Sequence, residues 1–263
     1  MTIFSRLKSA AASDWASYVD HDFVRQLGDG TLPEAAFRMY LVQDYLFLIQ
    51  FARAYALATY KSRTLADIKA AQAGLASILD EMELHVRLCG RWGLSPSEIE
   101  AAPEHQATVA YTRFVLDCGA AGDLLDLHVS LAPCVIGYAE IGRKLAPNGA
   151  DALGAHPYRE WIGEYAGEAY QGVAERARRH LDDLAARAMT EQRFVELAAL
   201  FGKASRLEAD FWQMGLAADS RPDRESRRRI LDEVRASARK RARPGPDAAR
   251  SQDFLYGDDG LPK

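Results

Sequence analysis

The sequence predicts an all-α, multi-helix bundle, and three observations carry that prediction. Apolar residues recur at helical spacing along most of the chain. No clear run of alternating β-branched residues interrupts them. Glycine, proline and small polar residues punctuate the periodic segments where helix ends belong.

Segments 2–12 and 13–27 read as amphipathic helices, and Gly28-Asp29-Gly30 breaks the chain after them. Thr31 ahead of Pro33 is a helix-start signal for the long segment 33–60. Residues 64–89 form a second long helix, stopped by Gly90 and Gly93. Ser95 and Glu98 make a capping box that opens a short helical turn. Segments 104–119 and 122–146 follow, and Pro147-Asn148-Gly149 marks a loop before segment 155–168. Segments 171–188 and 190–217 close the set. Roughly eight to ten helices with short connections suit a compact bundle. No repeat at solenoid spacing is present.

Composition changes near Ala217, dividing the chain into a helical domain over 1–218 and an extension over 219–263. The extension is basic and partly helical at 221–243, then polar. It reads either as a solvated appendage or as an arm docking on a neighbouring subunit through Ile230, Leu231 and Val234. Asp223, Glu225, Asp232 and Glu233 dilute its basic run and weaken a nucleic-acid role.

With 263 residues, 48% hydrophobic and 27% charged, the chain can bury a sizeable core. A net charge of −4 provides no basic field to attract nucleic acid. Cys89, Cys118 and Cys134 form no CxxC, so neither a disulfide framework nor a zinc knuckle is indicated. A reducing cytoplasm is the expected location. The N-terminal segment lacks a compact apolar run of the signal-peptide kind. The apolar stretch Tyr40 to Tyr60 is interrupted by Gln43, Asp44, Gln50 and Arg53, so a core helix is expected there and no membrane span.

Four segments carry polar groups on apolar helices. Asp44 shares a face with Phe47 and Phe51. It either pairs with an Arg or Tyr inside the bundle, or binds the N–H groups of a flat heterocycle stacked on the aromatic face. Pro133 is expected to kink or restart its helix, leaving Cys134 near free backbone N–H groups that lower its pKa. The alternative is an inert buried thiol. Tyr138 faces the same way as Cys134, and Gly137 and Gly142 admit a close neighbour or ligand. Tyr158, Trp161 and Tyr165 form an aromatic stripe, with Tyr111 and Phe114 a similar pair. Glu208 lies beside Phe211 and Trp212 and is either solvated or buried with a raised pKa, fit to move protons.

Together these pieces resemble the TenA family, also called thiaminase II or aminopyrimidine aminohydrolase. The most specific are Pro133-Cys134 with Tyr138 to Gly142, Tyr158 to Ile162 with Tyr165, and Glu208 with Phe211, Trp212 and Met214. Asp44 and Phe47 fall where the family has its pyrimidine-binding acid and stacking ring. The likeness runs from about residue 3 to residue 217. It implies a haem-oxygenase-like fold, a homotetramer and no cofactor. It also implies hydrolysis of 4-amino-5-aminomethyl-2-methylpyrimidine to the hydroxymethyl pyrimidine and ammonia, and in many members cleavage of thiamin. On this likeness Cys134, which places the chain in the thiol-containing branch, is the nucleophile, and Glu208 moves protons. Asp44, Phe47, Tyr111, Tyr138 and Tyr165 hold the substrate. The extension after Ala217 departs from the family core.

Two rival readings stand beside it. Glu81 and His85, at i and i+4, have metal-capable spacing. A di-iron oxygenase needs about six carboxylate and His ligands, for which His180, Asp183 and Glu140 are further candidates. His21 is a lone candidate for haem. The other rival is a non-catalytic pyrimidine-binding protein on the same fold.

Overall fold

The computed structural model describes residues 1–219, 224–241, 255–257 and 261. The chain divides into two compact units, Met1–Asp219 and Ser220–Lys263. The first is built from α1 (Ile3–Ala10), α2 (Ala12–Val19), α3 (Asp22–Asp29), α4 (Glu34–Lys61), α5 (Leu65–Arg91) and α6 (Pro96–Glu100). It continues with α7 (Gln106–Ala121), α8 (Leu124–Leu145), a 3₁₀ turn (Ala150–Leu153), α9 (Arg159–Ala166), α10 (Glu168–Ala188) and α11 (Glu191–Asp219). No β-strand occurs among the described residues.

Helices α4, α7, α8 and α11 pack on one another as the central bundle. α5 lies along α4, α9 and α10 lie along α8, and α2 lies along α11. Sequence chemistry fixes several ends. Ser95 and Glu98 form the expected capping box of α6. Asp123 and Asp126 form a second one that starts α8. The segment expected as one helix over 13–27 is two. His21 Nδ1 accepts the Phe23 N–H at 3.2 Å and caps α3, which breaks the periodicity at Asp20. That imidazole is a helix cap, and burial lowers its pKa.

α8 is the centre of the bundle. By length and composition it is the one helix among the described residues able to cross a membrane, yet 83% of its apolar window is buried inside the protein. It runs unbroken through Pro133, so the helix does not restart there. A proline deletes its own N–H and thereby frees the carbonyl one turn earlier, so it does not bare N–H groups for Cys134. Tyr18 Oη donates to the Pro133 carbonyl at 3.3 Å. It reaches there because Gly137 has no side chain; a Cβ would sit 2.4 Å from the Tyr18 ring. At Gly142 a Cβ would sit 2.4 Å from the Tyr165 carbonyl carbon. Both glycines thus admit protein elements, and Gly142 lets α9 cross α8 closely enough to aim Tyr165 inward.

In the second unit, α12 (Arg224–Arg241) lies where the extension was expected to be helical. Leu231 and Val234 are exposed on it. The Ile230 side chain lies outside the described residues.

Candidate active site

The polar groups singled out in the sequence come from different helices and meet inside the bundle. Asp44 and Phe47 come from α4, Tyr111 from α7, Cys134 and Tyr138 from α8, Tyr165 from α9 and Glu208 from α11. All seven are buried. A cavity of about 590 Å³ opens from solvent to Cys134, with Glu81, Tyr55, Tyr170 and Arg87 in its wall.

Asp44 sits in a network that joins a partner one turn away to groups from other helices. Tyr40 Oη donates to Asp44 Oδ2 at 3.0 Å, and Trp161 Nε1 donates to Tyr40 Oη at 3.0 Å. His85 Nε2 lies 2.5 Å from the same Oδ2. His85 Nδ1 is 3.0 Å from the Glu81 carbonyl, which can only accept, so Nδ1 carries a hydrogen. Burial is the largest single influence and works to lower the His85 pKa, but the charge and hydrogen bond of Asp44 together with those of Glu81 outweigh it and lift the value to about 9. His85 is therefore an imidazolium paired with Asp44. Both partners approach Oδ2, and among the described residues none hydrogen-bonds Oδ1.

Glu81 is the second unforeseen member. Tyr165 Oη donates to Glu81 Oε1 at 2.6 Å. Burial raises the Glu81 pKa to about 7, against the pull of His85. A carboxyl poised there can take or give a proton near neutral pH. Glu208 accepts from Tyr111 Oη at 2.9 Å. Burial holds its pKa well above the ordinary carboxylate range, despite that hydrogen bond. The Cys134 thiol is pushed well up by burial and then by Glu208, Glu81 and Asp44. The expected low thiol pKa is therefore wrong: α8 is continuous, and three acids surround the sulfur where bare N–H groups were anticipated.

Aromatic rings cluster among these groups inside the bundle. Phe47 packs against Tyr111 and Phe211 with centroids 5.1 and 5.5 Å apart. Tyr138 packs against Tyr165 at 4.9 Å and Trp212 at 5.3 Å. In the predicted stripe, Tyr158 donates to the Leu32 carbonyl, Trp161 to Tyr40 and Tyr165 to Glu81, so each polar tip has a partner.

Ligand atoms of Asp44, Glu81 and His85 lie within 4.8 Å of one another, a set that could hold one metal ion. The dinuclear set is not assembled. Glu140 pairs with Lys8 at 2.6 Å, and His180 packs against His128. Among the described residues no other group of three converges in this way.

A family model described as TENA/THI-4/PQQC matches residues 9–218. The chain belongs to that family. A protein of Halalkalibacterium halodurans named aminopyrimidine aminohydrolase is 36% identical over 216 residues, which cover 81% of this chain and 95% of that one. The crystal structure of a TenA family transcription regulator from Silicibacter sp. TM1040 is 41% identical with a TM-score of 0.77, covering 81% of this chain and 96% of the other. A Shewanella denitrificans domain of unknown function with a heme oxygenase-like fold gives a TM-score of 0.63 at 15% identity, covering 82% and 93% of the two chains, a likeness of fold. The all-α, haem-oxygenase-like bundle expected from the sequence is thus the fold of this TenA relative.

Three contributors to the site escape sequence reasoning as site residues. The signal for Glu81 and His85 was present in their i, i+4 spacing, but it pointed to a metal. Tyr40 lies one turn before Asp44, so its hydroxyl is the Tyr partner foreseen for that acid.

Proposed function

We propose that this chain is a hydrolase of thiamin salvage. It cleaves the bond between the 5-methylene of a 4-amino-2-methylpyrimidine and its leaving group, with Cys134 as nucleophile. One observation carries the reading. The Cys134 thiol, the Glu81 and Glu208 carboxyls with raised pKa values and the Asp44 carboxyl act on one another inside the bundle, beside a cavity that opens on Cys134.

The chemistry follows from the protonation states. Cys134 starts as a thiol. Its sulfur adds to ring C6 while the thiol proton passes by way of Glu81, which takes and gives a proton near neutral pH, to a ring nitrogen. Asp44 Oδ1 accepts from the ring N–H or 4-amino group, and its carboxylate stabilises the positive charge that forms on the 4-amino group when the leaving group departs. The 4-amino lone pair then expels the group on the 5-methylene, and protonated Glu208 supplies the proton to a departing amine. Water adds to the exocyclic methylene and gives its proton back to Glu208. Cys134 leaves C6 with the ring proton, restoring aromaticity. The sum is aminomethyl pyrimidine plus water giving hydroxymethyl pyrimidine plus ammonia.

Phe47 and Tyr138 stack on the ring from their separate aromatic clusters. Tyr111 orients Glu208, and Tyr165 orients Glu81. The His85 imidazolium supplies positive charge beside Asp44, so the scheme calls for no metal or organic cofactor.

The reading is tested by incubating purified protein with 4-amino-5-aminomethyl-2-methylpyrimidine and, in parallel, thiamin. Ammonia and hydroxymethyl pyrimidine are expected in equal amounts. Turnover of neither substrate overturns the proposal.

We also propose self-association into a homotetramer. Leu65, Ile68, Leu75 and Leu79 repeat along one side of α5, and Leu65 and Leu79 are 67% and 52% exposed. Such an apolar stripe on a surface helix suits a second helix. Sedimentation of wild type against Leu79→Lys tests it, with a smaller species expected for the variant. The three free cysteines fit a reducing cytoplasm.

A further inference from the structure

α9 ends at Ala166, one residue after Tyr165, and α10 begins at Glu168. Gly167 between them is extended, so the Tyr165 carbonyl has no partner further along its own helix. Gln171, near the start of α10, reaches back over that break. Its Nε2 donates to the Tyr165 carbonyl at 2.7 Å and to the Ala139 carbonyl of α8 at 2.8 Å. Both partners can only accept, so the amide nitrogen faces them and both its hydrogens are used. One neutral group thus joins three helices.

The two carbonyls belong to the geometry of the site. Tyr165 Oη donates to Glu81 at 2.6 Å. Ala139 follows Tyr138, whose ring packs 4.9 Å from that of Tyr165. Gly142, one turn beyond Ala139, is where the Tyr165 backbone crosses α8. A glycine permits that approach but offers no side chain to hold it, and the Gln171 amide supplies the hold. We infer that Gln171 is a positioning residue: by bridging two main-chain carbonyls it fixes the Tyr165 backbone on α8 and so sets the phenol on Glu81. Gln171 lies outside the residues that line the cavity opening on Cys134, and it acts through Tyr165. Its effect on turnover rests on the hydrolase reading above, whereas its hold on Tyr165 does not.

The test follows Glu81 itself. Glu81 is coupled to His85 on its own helix, to Asp44, Tyr40 and Tyr55 from α4, to Cys134 from α8, to Glu164 and Tyr165 from α9 and to Tyr170 from α10. Gln171→Met replaces none of these and keeps the side-chain length, but removes both donors. NMR titration of protein labelled with carbon-13 at the glutamate carboxyls reads the Glu81 midpoint without turnover, its signal identified by Glu81→Gln. The wild-type midpoint is expected at about 7. In Gln171→Met it should rise by on the order of one pH unit, as for weakening one hydrogen bond to a charged group. Tyr165→Phe/Gln171→Met should match Tyr165→Phe alone, because a residue acting through that hydroxyl adds nothing once it is gone. Gln171→Asn, whose amide falls one carbon short of the carbonyls, should move the midpoint the same way and replaces the Met variant where that one does not fold. An unchanged midpoint in the Gln171 variants, or shifts that add in the double variant, overturns the inference. In turnover, the Glu81 limb of the pH–rate profile should follow the NMR midpoint across these proteins. Absence of turnover in wild type overturns the hydrolase reading alone, since the NMR midpoint still decides whether Gln171 sets Tyr165.

Discussion

Tyr165 donates its phenolic hydrogen to Glu81 Oε1 across 2.6 Å, tying α9 to α5 at the wall of the site. That bond favours the carboxylate form and works against the burial that holds Glu81 at about 7. Its removal lets burial dominate. In Tyr165→Phe the Glu81 limb of the pH–rate profile should move to higher pH, well above 7. Steady-state kinetics between pH 5 and 9 check this. A limb that stays in place means Glu81 does not titrate in turnover. Glu81→Gln should abolish the limb and cut kcat by about 10²-fold or more, the usual scale for losing a positioned proton carrier.

The Asp44–His85 pair makes stability depend on pH in a defined sense. The folded protein holds the His85 proton more tightly than the unfolded chain, with a pKa of about 9 against an ordinary 6.5. The stabilisation is fully present below pH 6.5 and is lost as pH rises through 9. Glu81 acts in the same sense at lower pH, losing its contribution between 4.5 and about 7. His128 acts the other way, because its folded pKa of about 3 makes stability fall as pH drops below 6.5. Melting temperature should therefore decline steadily from pH 6.5 to 9. His85→Gln should flatten that decline and cost about 3–5 kcal/mol at pH 6, since Asp44 is left as an unpaired buried charge. Thermal melts across the range decide it, and a slope unchanged in the variant removes His85 as the cause.

Gly142 is the crossing point of α8 and α9, and a Cβ there would meet the Tyr165 backbone at 2.4 Å. Backbone cannot swing aside as a side-chain tip does. Gly142→Ala should cost at least about 1–3 kcal/mol, the range for overpacking a tight site. Displacement of Tyr165 should also move the Glu81 limb in the direction expected for Tyr165→Phe. Chemical denaturation and the pH profile of the same variant test both halves together.

The fold was largely legible because burial writes itself at helical spacing, as in the run from Tyr40 to Phe51 that became the core face of α4. The division at His21 was not, because the cap comes from an imidazole, which carries no strong capping signal in a sequence. Pro133 misled for a physical reason: a proline frees a carbonyl, and in a core packed on every side the helix simply continues. The candidate site was legible where one residue type stood out from an apolar background, as at Asp44, Cys134 and Glu208. It was illegible where the meaning depended on a partner from another helix. Glu81 and His85 read as a metal pair until α5 was laid against α4, where Asp44 converts the imidazole into a cation.

The central claim is that the Cys134 sulfur forms the first bond to the substrate. The most direct measurement is ammonia release from the aminomethyl pyrimidine by Cys134→Ser beside wild type, with both proteins shown to be folded. A serine hydroxyl is a far weaker nucleophile in the same buried place, so kcat/KM should fall by about 10³-fold or more. A variant that keeps the wild-type rate contradicts the account.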